Sequence, residues 1–322
     1  MIQRILLPLD GSERAERAIP WVAALARAFK SEVILLRVVE GVGNGEGRAS
    51  DPVEWRLDRA EAVAYLQEIK ARLAKGAITV DIDVGVGGAG EEILETARVR
   101  QVDLVAITTH GRGEAMGLPM AGTAHKVIVA AETSVLVVPA AAAGAPVAPR
   151  RVLVGVDGSP RSEWAACLSA TLARSESMPL VLAYAIPAPE ILPVGDVEPL
   201  RALATQLVEA SRKVGERYLA DLANRLDAPE LHLSVRAVEA TTTVPRALCD
   251  LACEEPGTLL VLSARGGSAP SGCLYGSVAR PMVASGDHPI LVLQDVQSGS
   301  PAREPAPERT DRSRRREGLQ ES

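Results

Sequence analysis

Short, almost unbroken apolar runs recur along the chain. Each is followed by a polar turn and then by a stretch with apolar residues three and four apart. RILLPL, from Arg4 to Leu9, is the first run, and further runs lie at 31–39, 78–84, 102–108 and 134–138. Strands apolar on both faces mark a parallel sheet covered by helices on each side, and the 3.6-residue periodicity between them predicts those helices. The first helix is predicted from a capping Ser12 to Phe29, with Ala15, Ile19, Val22, Ala23 and Ala26 inward and a kink at Pro20. A long amphipathic helix is predicted over 53–75, with shorter ones over 91–98 and 124–131. The order βαβαβαβαβ predicts a doubly wound parallel sheet with right-handed crossovers.

The pattern then starts again. Arg151-Val-Leu-Val-Gly-Val-Asp157-Gly158-Ser159 matches Arg4-Ile-Leu-Leu-Pro-Leu-Asp10-Gly11-Ser12 position for position, and Leu172-Ala173-Arg174 matches Leu25-Ala26-Arg27 without a gap. Repetition on this scale means two copies of one domain. The second copy predicts a long helix ending near Arg225, a strand over 231–238, a helix over Val244 to Cys253, a strand over 259–262 and a last strand over 289–294. The boundaries read as domains at 1–139 and 150–296, a linker at 140–149 rich in Ala and Pro, and a disordered tail at 297–322 rich in Ser, Pro, Glu and Arg.

Composition narrows what such domains do. Of 322 residues, 47% are hydrophobic, so each half can bury a full core, while only 2% are aromatic and the net charge is -6. Few rings for stacking and a negative balance argue against a nucleic-acid surface. The start has no signal-peptide pattern and no run approaches the roughly 20 apolar residues of a membrane span, so a cytoplasmic protein without membrane contact is expected. Four cysteines (Cys167, Cys249, Cys253 and Cys273) lack metal-ligand spacing and read as buried structural residues.

Candidate chemistry gathers at two glycine-rich turns, each between a strand and a helix. They are Gly111 to Ala124 (GRGEAMGLPMAGTA) and Gly266 to Val278 (GGSAPSGCLYGSV). Such turns leave backbone amides free and aim a helix N-terminus at a bound anion. In a doubly wound sheet the ligand site lies beyond the carboxyl ends of the strands where strand order reverses. That places Asp10 beside the Gly111 turn and Asp157 beside the Gly266 turn. Each aspartate could accept hydrogen bonds from a ribose or purine amine while turn amides and the Thr123 or Ser277 hydroxyl meet phosphate oxygens. A helix start with a capping serine explains each Asp-Gly-Ser equally well. Neither turn contains lysine, so rapid phosphoryl transfer is not expected. No His or Cys set has metal spacing, and no serine is grouped with histidine and acid as a triad.

These features together resemble the universal stress protein family over residues 1–296, as two fused domains. The resemblance rests on Asp-Gly-Ser after the first strand and on the pattern G-x2-G-x9-G-[ST] carried by ATP-binding members. In the second copy the spacing from Gly266 to Gly276-Ser277 matches, with Ser263 in place of the first glycine. In the first copy Thr108 stands at that position, Gly111 follows, and ten residues separate it from Gly122-Thr123. The resemblance implies two five-stranded parallel sheets of the adenine-nucleotide alpha-hydrolase-like type. It also implies a site for ATP, with magnesium accompanying the phosphates, built from Pro8, Asp10, Val38, Gly111, Gly122, Thr123 and Ala124 in one copy. The corresponding residues in the other are Asp157, Ala185, Gly266, Gly276, Ser277 and Val278. His110 stands where the family often has histidine. Members commonly pair their last strands, so the fused copies can form an internal pseudo-dimer, with a homodimer of the whole chain left open.

Three functions follow as expectations. The first is a stress-response module that binds adenine nucleotide with at most slow turnover and signals to a protein partner, with the second copy the tighter site. Glu114 and the lengthened first turn favour an alternative, an interaction module that keeps the fold without the nucleotide. An adenylate-transferring enzyme is the third, and no basic catalytic signature accompanies the turns.

Overall fold

The computed structural model describes residues 1–39, 52–109, 122–140, 148–189, 198–226, 230–267, 273–285 and 288–294. The first copy runs β1 (Arg4–Pro8), α1 (Glu13–Glu16), α2 (Ile19–Phe29), β2 (Glu32–Val39), α3 (Pro52–Ala74), β3 (Val80–Val86), α4 (Ala89–Val99), β4 (Leu104–Thr108), α5 (Gly122–Ala130) and β5 (Ser134–Val138). The second runs β6 (Arg151–Gly155), α6 (Pro160–Ser175), β7 (Leu180–Pro187), α7 (Glu198–Leu226), β8 (Leu233–Ala240), α8 (Val244–Cys253), β9 (Thr258–Ser263), α9 (Ala279–Ser285) and β10 (Ile290–Leu293).

The strands form one ten-stranded sheet in the order β3-β2-β1-β4-β5-β10-β9-β6-β7-β8. Every neighbouring pair is parallel except β5 and β10, which meet antiparallel with Leu136 opposite Leu291. The two five-stranded sheets are therefore joined through their last strands, the pairing that the family resemblance implied. Strand order reverses between β1 and β4 and again between β6 and β9, which fixes the two switch points.

Alternation along buried strands divides the core into two layers. Ile5 and Leu7 face one core with α2, α3, α6 and α7, whereas Leu6 faces the other with α4, α5, α8 and α9. Across the seam, Arg27 of α2 makes a two-pronged ion pair with Glu176 at the end of α6, at 2.9 and 2.5 Å. The outermost strands are more polar, and the ion pairs of Arg100 with Asp81 and Asp83 lie on β3, the kind of charge that keeps a sheet edge from pairing further.

Three expectations change. The helix predicted from Ser12 to Phe29 is two helices, because Pro20 lies in the first turn of α2 and the chain breaks at Arg17–Ala18. A proline is tolerated there because the first-turn amides have no intrahelical acceptor. Both edge strands run later than their apolar residues suggest: Ile78 and Leu231 are buried, but pairing with β2 and β7 starts at Val80 and Leu233. The cysteines are not core residues. Cys167, Cys253 and Cys273 are exposed, Cys249 is half-buried, and none forms a disulfide. Most of the predicted linker and all of the predicted tail lie outside the described residues.

Candidate functional site

β6 delivers Asp157 to the second switch point, and the turn after it is fixed locally. Gly158 has φ +82°, a left-handed backbone suited to glycine. Ser159 caps α6 by accepting the Ser162 amide at 3.3 Å. Its own amide and hydroxyl donate to Asp157 Oδ1 at 3.0 and 2.6 Å. Oδ2 accepts the amide of Gly267 at 3.0 Å, which ties the strand-end carboxylate to the glycine-rich turn 110 residues away. Gly266 passes so close that a Cβ there would collide with the same oxygen. Burial would raise the Asp157 pKa, but the hydrogen bonds from Ser159 and Gly267 outweigh it and hold the carboxyl below its ordinary value.

Beyond this carboxylate lies a cavity of about 300 Å³. Its walls are mostly apolar, with Ala183 and Ala185 from β7, Val244 and Leu248 from α8, and Leu262 from β9. Asp157, Ser263 and Ser277 supply polar side chains, and Gly266, Gly276 and Val278 supply backbone. All six second-copy residues expected from the sequence thus line one space. Sequence reasoning missed Leu248 and Leu262, whose only signal is apolar periodicity, and Tyr184, which also lines the cavity.

The turn on the far wall is firmly held. Gly276 donates its amide to Ala264 O at 2.7 Å. The side chain of Gln294 donates to Leu274 O at 3.2 Å. Tyr275 donates its hydroxyl to Ile128 O of α5, in the other copy, at 3.0 Å. Burial, partly offset by Gln294, pushes the Tyr275 phenol up to about 12, so it remains a donor at neutral pH. Two of the amides expected to be bare, those of Gly267 and Gly276, are therefore engaged within the chain. The amides of Ser277, Val278 and Ala279 find no acceptor among the described residues. The helix after them, α9, has only 7 residues, so its dipole adds less than the sequence reading supposed.

The first copy repeats the turn but not its surroundings. Asp10 Oδ1 accepts the Ser12 amide and hydroxyl at 2.9 and 2.6 Å, and Gly11 has φ +78°. The guanidinium of Arg37 lies against Gly11 and 5.3 Å from the Tyr65 ring centroid. Its counterpart in the second copy is Tyr184, set edge-on to Tyr218 with ring centroids 6.2 Å apart. Pro8 and Val38 are half-buried at the strand ends. Gly122 opens α5 at φ +76°, followed by half-buried Thr123 and buried Ala124. Gly111, His110 and Glu114 lie outside the described residues. Of the other histidines, His125 and His232 are exposed and His288 sits 3.4 Å from the thiol of Cys253.

Among the described residues, no group of three His, Cys, Asp or Glu side chains could hold a metal ion. No helix among them is long and apolar enough to cross a membrane.

Comparison with known proteins bears on both copies. The model of the universal stress protein family matches residues 1–139 and again 149–294. A universal stress protein of Thermus aquaticus is 31% identical over 140 residues, covering 43% of this chain and 99% of that protein. One of Mycobacterium tuberculosis is 25% identical over 310 residues, covering 91% of this chain and 95% of that protein. The crystal structure of a universal stress protein from Archaeoglobus fulgidus shares the fold at a TM-score of 0.60 and 16% identity, over 90% of this chain and 98% of that one. The chain belongs to the universal stress protein family, with two copies of the family's domain in tandem.

Proposed function

We propose that the second copy binds an adenine nucleotide, ATP in the first instance, and that its occupancy, with at most slow turnover, serves a stress-response regulator that signals to a protein partner. The observation that carries this reading is the cavity between the ends of β6 and β9, walled by Asp157 on one side and Gly276–Ser277–Val278 on the other. About 300 Å³ is the lower end of the range for ligand pockets and suits a nucleoside rather than a larger cofactor. The apolar wall of Ala183, Leu248 and Leu262 suits a purine, Asp157 a ribose, and the amides of Ser277 to Ala279, without an acceptor among the described residues, suit the phosphates. Those amides carry no formal charge and the turn has no lysine, so the site favours holding a phosphate chain over cleaving it. Magnesium would arrive on the phosphates, and Asp157 is the one carboxylate among the described residues that line the cavity. The boundaries at 139 and 150 belong to the same reading, as does a cytoplasmic setting.

The alternative, a nucleotide-free interaction module, is favoured by one observation: the Gly267 and Gly276 amides are already satisfied within the chain. Thermal-shift titration of the intact chain separates the two. Binding predicts that melting rises with ATP in the presence of magnesium and rises less with GTP. No shift at millimolar nucleotide favours the interaction module.

A further inference from the structure

The turn that carries Gly276 and Ser277 does not stand on the second copy alone. Three consecutive residues lead into it, and each is fixed by a different element. Leu274 is held by Gln294, whose own amide donates to Ser134 Oγ on β5 at 3.2 Å. Tyr275 reaches across the seam to Ile128 O on α5 at 3.0 Å, and Gly276 bonds the end of β9. Ser134 and Gln294 are 2% and 5% exposed, so this anchorage is shielded from water. Two of the three supports therefore lead to the first copy.

We infer that Tyr275 is a positioning residue for the phosphate end of the second-copy site, and that this site is a composite in which α5 of the first copy sets where Ser277 and its neighbouring amides lie. The inference rests on the nucleotide reading of that cavity. The hydroxyl has no counterpart in the first copy's sequence. The residue before Gly122, at the place where Tyr275 precedes Gly276, is Ala121, which has no hydroxyl to return the contact. Because α5 begins with Gly122 and Thr123, the helix touched by Tyr275 is the one that opens the first copy's own candidate site. The remainder of the second cavity, Asp157 and the purine wall, draws on the second copy only.

The test compares ATP with adenosine in the intact chain and in Tyr275→Phe, which keeps the ring and removes the hydroxyl. Loss of one hydrogen bond predicts an ATP affinity about fivefold weaker, with adenosine affinity within about twofold and a melting temperature lowered by no more than a few degrees. Equal loss for both ligands would mean general loosening and overturn the inference, as would an ATP affinity that does not change. If the wild-type chain binds neither ligand, the nucleotide reading fails. Hydrogen exchange at Gly276 and Arg280, whose amides are bonded within the turn, then decides this inference alone: faster exchange in Tyr275→Phe supports it, and identical exchange overturns it.

Discussion

Asp157 and Gly267 are joined by one hydrogen bond of 3.0 Å, from amide to carboxylate, across a separation of 110 residues. The carboxyl of Asp157 is held below its ordinary value, so its contribution to stability is complete above the unfolded pKa of about 3.9 and is lost as pH falls through the lower folded value. Asp157→Asn should therefore be less stable than wild type at pH 7, and the gap should narrow as pH falls below the unfolded value of about 3.9. Urea denaturation at a series of pH values measures this; a gap that persists into acid would show the bond is not ionic.

Gly266→Ala tests the close approach from the other side. Its new Cβ would collide with Asp157 Oδ2, so the carboxylate or the turn must move. Folding should survive, because the turn is at the surface, while ATP affinity should fall at least tenfold by calorimetry. Gly155→Ala is a companion change, since its Cβ would lie 2.6 Å from a Leu262 methyl and 3.2 Å from one of Leu248, both on the cavity wall. A cost of about 1 kcal/mol is expected from such overpacking, with weaker binding of adenosine and ATP alike.

The duplicated long helices carry a contact that separates the copies. Tyr65 donates to Glu16 Oε1 at 3.2 Å and Arg72 pairs with Glu16 Oε2 at 2.7 Å. In the second copy Arg225 pairs with Glu163 at 2.8 Å, and the buried Tyr218 hydroxyl sits beside Ser162 and Glu163 without forming a well-aligned hydrogen bond to either. Tyr65→Phe should cost about 1 kcal/mol, and Tyr218→Phe, whose hydroxyl is poorly aligned with Ser162 and Glu163, should cost clearly less. Thermal unfolding of the two variants measures the difference, and equal costs would show that the copies hold their helices alike.

Much of the frame was legible because two signals agreed at each element. The strand Ser134–Val138 and the helix Val244–Cys253 were read at their observed limits: the first is bounded by polar residues and Pro139, the second by the capping Thr243 and Pro245 in the first turn. That six second-copy residues line one space was legible, Asp157 and the turn residues from strand-end placement and glycine spacing and Ala185 from the family resemblance. The Tyr–Glu–Arg contact was not. Asp10 and Asp157, like Glu16 and Glu163, are 147 residues apart, but Tyr65 and Tyr218, like Arg72 and Arg225, are 153 apart. The second long helix has 29 residues against 23 in the first, and this excess puts the repeat out of step, so no single offset aligns both halves of the contact. Tyr275 was hidden for another reason: its partner is a backbone carbonyl on the other copy, which leaves no trace in residue type.

The seam gives a prediction in which apolar burial outweighs charge. Arg27 and Glu176 are 43% and 16% exposed, so Glu176→Gln should cost less than about 1 kcal/mol. Leu136 is fully buried opposite Leu291. Leu136→Asp would bury an unpaired carboxylate and should leave little folded protein, or a protein whose copies no longer share a sheet. Denaturant unfolding with small-angle scattering distinguishes these results, and a compact, stable Leu136→Asp chain would contradict the continuous sheet.

Isothermal titration of the intact chain with ATP and magnesium tests the nucleotide site most directly. Saturable binding is predicted, with the tightest site abolished by Gly276→Val, which blocks close backbone approach at the turn. No heat of binding at millimolar nucleotide, or binding that survives Gly276→Val undiminished, would contradict it.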